Sequence, residues 1–179
     1  MQRNKAMIVI DVQKGLFERS IPIYKAESVL ENINILIKGA RDVGVPVIFI
    51  QHSNKTTLVK GSDAWQLHPA IQPLDNEEIV HKLHGNAFKD TILHDWLEHR
   101  NVNVLIITGL VTHGCVKATS LGAIEKGYKV VLVCDGHSNY SKDAFKMIEK
   151  WNQAIKKEGA ELIGTQDVDF VGSRNEQES

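Results

Sequence analysis

Cysteine is nearly absent from this chain: Cys115 and Cys134 are the only two in 179 residues. A pair cannot form the disulfide framework of a small secreted domain, so reduced thiols in a cytoplasmic setting are expected. A charge surplus is missing as well. Lys and Arg number 21 against 22 Asp and Glu, the formal net charge is −1, and no basic run exceeds a pair. A phosphate-tracking surface is thereby excluded, and nucleic acid is not an expected partner. No apolar stretch approaches the length of a membrane span, so no membrane partner is expected either. The run Ala6 to Ile10 is too short for a signal-peptide core and stops at Asp11. The sequence also lacks G-x-G-x-x-G, G-x-x-x-x-G-K-[ST] and G-x-S-x-G. Dinucleotide binding, P-loop chemistry and a nucleophile-elbow serine lose their support, and no cofactor is expected.

What is present alternates between strand and helix. Met7 to Ile10, Val47 to Ile50, Val104 to Ile107 and Lys129 to Val133 are apolar runs, as in strands buried on both faces. Glu78 to His81 is a weaker strand, and Glu161 to Ile163 reads as a sixth, at an edge. Between them the spacing predicts helices at Ala26 to Arg41, Thr91 to His99, Val116 to Lys126 and Ala144 to Lys157. The expected inward faces are Ala26, Val29, Leu30, Ile33, Ile37 and Ala40 in the first, and Ile92, Leu93, Trp96 and Leu97 in the second. In the last they are Ala144, Ile148, Trp151 and Ile155. This order implies right-handed crossovers: an α/β chain of three layers, α/β/α, with a six-stranded, mostly parallel sheet and helices on both faces. We expect one domain over residues 1–170 and a polar tail over 171–179. The aperiodic stretch from His52 to Asn76 reads as an excursion over the carboxyl ends of the strands.

Ligands of open parallel sheets sit beyond those carboxyl ends, where strand order reverses. Three chemically capable residues fall there: Asp11 after the first strand, Lys82 after the third, and Cys115 in the turn after the fourth. Each has an ordinary explanation. A free cysteine is most often a buried core thiol, an aspartate after a strand most often a turn residue, and a lone lysine most often a surface group. Together they have a chemical one. With Thr112 as N-cap, Cys115 would lie in a first helical turn, where free N–H groups favour a thiolate and can hold an oxyanion. An ammonium beside the sulfur favours its charged form. Gln13 reads as a residue securing a turn by hydrogen bonds, and Phe17 as core or pocket wall. The competing possibility is a metal site. His113 and Cys115, with Cys134 and His137, are zinc-type ligands at the ends of two strands, but their spacing fits none of the usual pairings. Cys134 closes an apolar run and is expected to point into the core.

Three segments carry a resemblance: "VIDVQKGLF" around Asp11, "VHKLHGNAF" around Lys82, and "TGLVTHGCVKATSLGAIEKGYKVVLVCD" around Cys115. Over about Lys5 to Gln166 the chain resembles the isochorismatase-like cysteine hydrolases, the family of nicotinamidases and carbamoylsarcosine amidases. The resemblance implies the family's Rossmann-like fold and a catalytic triad of Asp11, Lys82 and Cys115. It implies a cis peptide at Leu110-Val111 and an oxyanion hole made by the backbone N–H groups of Val111 and Cys115. It further implies a small amide or related acyl substrate and assembly as a dimer or tetramer. Enzymes acting on isochorismate itself typically lack the cysteine, so that activity is not expected. Nicotinamidases carry a metal site with an Asp-x-His pair after the second strand. Here His52, Asp63 and His68 occur, but no Asp-x-His does, and no metal is expected. A metal-assisted nicotinamidase and an inert interaction protein on the same fold are the alternatives. Phe17, His52, Trp65 and His113 are the candidate pocket residues.

Overall fold

The structure is a computed structural model that describes residues 4–171, so residues 172–179 of the expected polar tail lie outside the described residues. Six strands form one sheet: β1 (Lys5–Ile10), β2 (Val47–His52), β3 (Glu78–Lys82), β4 (Val104–Leu110), β5 (Lys129–Ser138) and β6 (Glu161–Ile163). Their order is β3-β2-β1-β4-β5-β6, and every pair is parallel. The helices are α1 (Lys14–Phe17), α2 (Ala26–Asp42), α3 (Leu93–His99), α4 (Lys117–Glu125) and α5 (Ala144–Lys157).

Side chains of successive strand residues point to opposite faces, and here both faces are covered. Ala6, Ile8 and Ile10 of β1 join Ile48, Ile50, Leu105 and Ile107 in the layer that meets Leu97 of α3, Ala123 of α4 and Ile155 of α5. Met7 and Val9 join Val47, Phe49 and Ile106 on the opposite side, under Val29, Ile33, Leu36, Ile37 and Ala40 of α2. Two-sided burial is why these strands read as unbroken apolar runs. No described helix is long and apolar enough to cross a membrane.

Several expectations are corrected. Helix α3 begins at Leu93, and Ile92 is 55% exposed instead of facing inward. The helix expected from Val116 is preceded by a π-helical turn over Thr112–Val116, interrupted at Gly114. Strand β5 runs five residues past Val133, because a register shift after Ile107 lets Gly109 and Leu110 pair with His137 and Ser138. Cys134 is half-buried and belongs to neither apolar layer, so it does not point into the core. On α5, Asn152 is fully buried while Trp151 is only partly so.

The excursion after β2 has no strand or helix of its own, yet it is fixed to the end of β1. The Lys14 N–H donates to Gln66 O at 2.9 Å, Gly15 N–H to Ala64 O at 2.9 Å, and His68 N–H to Val12 O at 2.8 Å. It therefore covers the point where the sheet's winding reverses, between β1 and β4.

Candidate active site

Asp11 is the first residue past β1 and is 2% exposed. Its φ is 50°, a left-handed conformation that costs a non-glycine residue about 1–3 kcal/mol and clusters at functional sites. Its N–H donates to Ile50 O at 3.0 Å, and its carbonyl accepts from the Gln13 N–H at 2.8 Å. β4 approaches closely here because Gly109 has no side chain. A Cβ at that residue would stand 2.1 Å from Ile10 O, and its φ is 120°. Lys82 ends β3 in register with His52, the last residue of β2, so both side chains leave the sheet on the same face.

The Lys82 ammonium is 2% exposed and gathers the site around itself. Nζ donates to Asp11 Oδ2 at 2.9 Å, to His84 O at 3.1 Å and to Cys115 Sγ at 3.2 Å, and lies 3.0 Å from His52 Nδ1. A carboxylate oxygen of Asp11, a ring nitrogen of His52 and the Cys115 sulfur lie within 4.8 Å of one another. Asp11 Oδ1 is buried with no hydrogen-bond partner among the described residues. Acid, amine and thiol, 71 and 33 residues apart in sequence, therefore share one small volume.

The sulfur differs from its expected state. Burial pushes the Cys115 thiol up to about 12, and the neighbouring Asp11 charge adds to that, while Lys82 opposes it. Burial and the Asp11 charge therefore work against the thiolate that a helix N-terminus favours, and the Lys82 charge works for it. Its turn also lacks the expected cap. Thr112 Oγ1 turns away from the helix end and pairs with His137 Nδ1 at 2.9 Å, and Val111 is the N-cap residue, without a side-chain bond. The Leu110-Val111 peptide is cis. The Val111 carbonyl accepts from the Gly114 and Val116 N–H groups at 3.0 and 3.3 Å, which closes the turn around the cysteine.

Phe17 and Trp65 both pack on the apolar cluster of Leu16, Ile23, Leu58, Leu110 and Val111, next to the cysteine turn. The Trp65 indole N–H donates to Ser53 Oγ at 2.9 Å. His113 stands edge-on to Tyr140, with ring centroids 6.1 Å apart. His52 is closer in than a pocket wall, since it contacts Lys82 itself. Gln13 is a turn-securing residue, as its type and place suggested. Its side-chain amide donates to His52 O at 2.9 Å and accepts from the His52 N–H at 2.9 Å.

The residues offered for a metal do not fit one. Asp63 pairs with Lys14 at 2.6 Å, and His68 Nδ1 accepts from the Ala70 N–H at 3.2 Å, while His52 is engaged by Lys82. Both His137 nitrogens are in hydrogen bonds, to Thr112 at 2.9 Å and to Asn152 at 2.8 Å, so the set with Cys134 does not form. Asp11, His52 and Cys115 are a possible ligand group among the described residues, but they converge on an ammonium, whose charge repels a second cation.

Sequence reasoning missed His84, Tyr140 and Asn152, and offered His137 only as a metal ligand. The His84 carbonyl is backbone and leaves no sequence signal. Tyr140 follows β5 in a stretch to which the sequence assigned neither strand nor helix. His137 and Asn152 meet only through the packing of α5 on β5. A buried polar residue at an inward helical position was the available signal for Asn152.

The family model of the isochorismatase domain matches residues 5–167. The chain belongs to the isochorismatase family. It is similar to streptothricin hydrolase from Streptomyces noursei, 31% identical over 138 residues that cover 76% of this chain and 50% of that protein. It is similar to nicotinamidase from Escherichia coli, 37% identical over 90 residues that cover 44% of this chain and 42% of that protein. The chain spans about half the length of the curated relatives it matches. A crystal structure of an isochorismatase from Pseudomonas putida shares the fold with a TM-score of 0.83 and 27% identity, covering 93% of this chain and 90% of that one. The six-stranded parallel sheet with helices on both faces is the architecture of this isochorismatase-family member.

Proposed function

We propose that this chain is a cysteine hydrolase that cleaves a small amide or related C–N acyl bond through a thioester. The convergence of the Cys115 sulfur, the Asp11 carboxylate and the Lys82 ammonium carries this reading. The relatives' names, a hydrolase and an amidase, support the reaction class.

The raised thiol pKa dictates the order of events. Cys115 rests protonated, so its proton must leave as the sulfur attacks. Asp11 accepts it. The sulfur bonds to the acyl carbon, and the carbonyl electrons move to oxygen. The Val111 and Cys115 N–H groups are assigned to hold that oxyanion; losing one such donor costs about 100- to 1,000-fold in rate. Asp11 then returns the proton to the departing nitrogen, the C–N bond breaks and the amine leaves. Water next attacks the thioester while Asp11 takes its proton. The C–S bond breaks, the sulfur regains a proton and the acid departs. The Lys82 ammonium offsets the negative charge that moves between carboxylate, sulfur and oxyanion. Phe17, Trp65 and His113 are assigned to the walls around the acyl group.

Ammonia release from a panel of small primary amides tests the proposal, with Cys115→Ala as the control. Release by the wild type and none by the variant supports the scheme. Equal release by both would end the covalent route. No release from any amide would favour the inert scaffold.

A further inference from the structure

His52 belongs to the reacting cluster in a way that its place at a strand end does not announce. Its backbone is gripped from both sides by the buried Gln13 amide, which fixes where the ring can go. The register of β2 on β3 sets that ring beside Lys82, with Nδ1 3.0 Å from Nζ. An ammonium has only protons to offer, so Nδ1 must present its lone pair and the neutral ring carries its proton on Nε2. Burial and the Lys82 charge both lower the His52 pKa, which keeps that lone pair available at neutral pH.

The count of protons then matters. Lys82 has three, and four acceptors stand at 2.9 to 3.2 Å: Asp11 Oδ2, His52 Nδ1, His84 O and Cys115 Sγ. A thiol sulfur is the weakest of the four. We propose that His52 is a positioning residue that competes with the sulfur for the three Lys82 protons, so that the 3.2 Å contact to Cys115 Sγ stays the weakest of the four until the chemical step. Its lone pair thereby restrains how readily Cys115 gives up its own proton. The carboxylate and the His84 carbonyl are held meanwhile, and the ammonium stays centred instead of swinging onto the sulfur. The assignment rests on the reading above, in which Cys115 is the nucleophile.

The test compares His52→Leu, which removes the acceptor, with His52→Asn, whose Oδ1 can occupy the Nδ1 position. The readout is the rate at which iodoacetamide alkylates Cys115 at about pH 8, followed by the mass of the Cys115 peptide so that Cys134 does not contribute. In the Leu variant three acceptors remain for three protons, and the sulfur gains its own donor. Alkylation should quicken about tenfold, the equivalent of one pKa unit in thiolate fraction. The Asn variant should stay within about twofold of wild type, its acceptor being retained. Asn is the smaller side chain, so easier access alone would make that variant the faster one. An unchanged or slower Leu variant overturns the assignment, and so does an Asn variant that quickens as much as Leu. His52→Met serves as a second acceptor-poor variant should the Leu protein not fold. Alkylation needs no substrate, so failure here is separate from failure of the hydrolase reading, which shows as absent ammonia release by the wild type.

Discussion

Two buried polar groups flank the cysteine turn, and they are built on opposite terms. On one side Thr112, His137 and Asn152 form a closed chain. The Thr112 hydroxyl donates to His137 Nδ1 at 2.9 Å, and His137 Nε2–H donates to Asn152 Oδ1 at 2.8 Å. Each donor has one acceptor, and all three side chains are buried. On the other side Lys82 meets more acceptors than it has protons, and Asp11 Oδ1 has no hydrogen-bond partner among the described residues. A satisfied network holds one arrangement. An unsatisfied one leaves acceptors competing for the same protons. The first holds Thr112 of the turn, and the second gathers the acid, amine and thiol of the proposed site.

Substitutions can break that contrast. The largest effect falls on the unsatisfied side: Cys115→Ala should lower amide turnover more than about 10⁴-fold, in line with loss of a catalytic nucleophile, while the melting temperature changes little. Assays of ammonia release and a thermal melt check the two halves. Next is Lys82→Met. It strands a buried carboxylate, which costs about 3–5 kcal/mol, and it removes the one charge that lowers the thiol pKa. Denaturant unfolding should show the loss, and Cys115 should alkylate more slowly than in wild type.

The satisfied side should answer to acid. Burial lowers the His137 pKa to about 4, whereas an unfolded chain's histidine titrates near 6.5. Between those values the unfolded state binds the extra proton. The stabilising contribution is therefore complete above about pH 6.5 and lost as pH falls toward about 4, a total of about 3 kcal/mol. Unfolding free energies at several pH values check the sign, and His137→Gln should flatten that slope. The smallest effect is Thr112→Val, which leaves His137 Nδ1 without its donor and should cost about 1–3 kcal/mol. A kcat that falls in this variant while KM holds would show that the closed chain serves the turn as well as the fold.

Much of this was legible before any coordinates. Apolar runs marked β1, β2, β4 and β5 because both faces of the sheet are covered, and the limits of α5 and β6 match their sequence signals. Strand ends placed Asp11, Lys82 and Cys115 as candidates, but each has a commonplace explanation in isolation, and family resemblance was needed to join them. Strand β5 was cut short because Asp135, His137 and Ser138 look like loop residues. Only the register shift against β4 shows them paired. The depth of the sulfur was not legible in the sequence. A helix-end position suggested a thiolate, but desolvation outweighs it in so buried a cluster. The His52 contact depends on strand register, which an individual strand's sequence does not encode.

The central claim is that Cys115 forms a covalent bond to an acyl carbon beside Asp11 and Lys82. A crystal soaked with a small aldehyde such as propionaldehyde tests it most directly. The account predicts continuous density from Sγ to the aldehyde carbon, with its oxygen facing the Val111 and Cys115 N–H groups. An aldehyde bound as an imine on Lys82, or a sulfur left bare at full aldehyde occupancy, would contradict it.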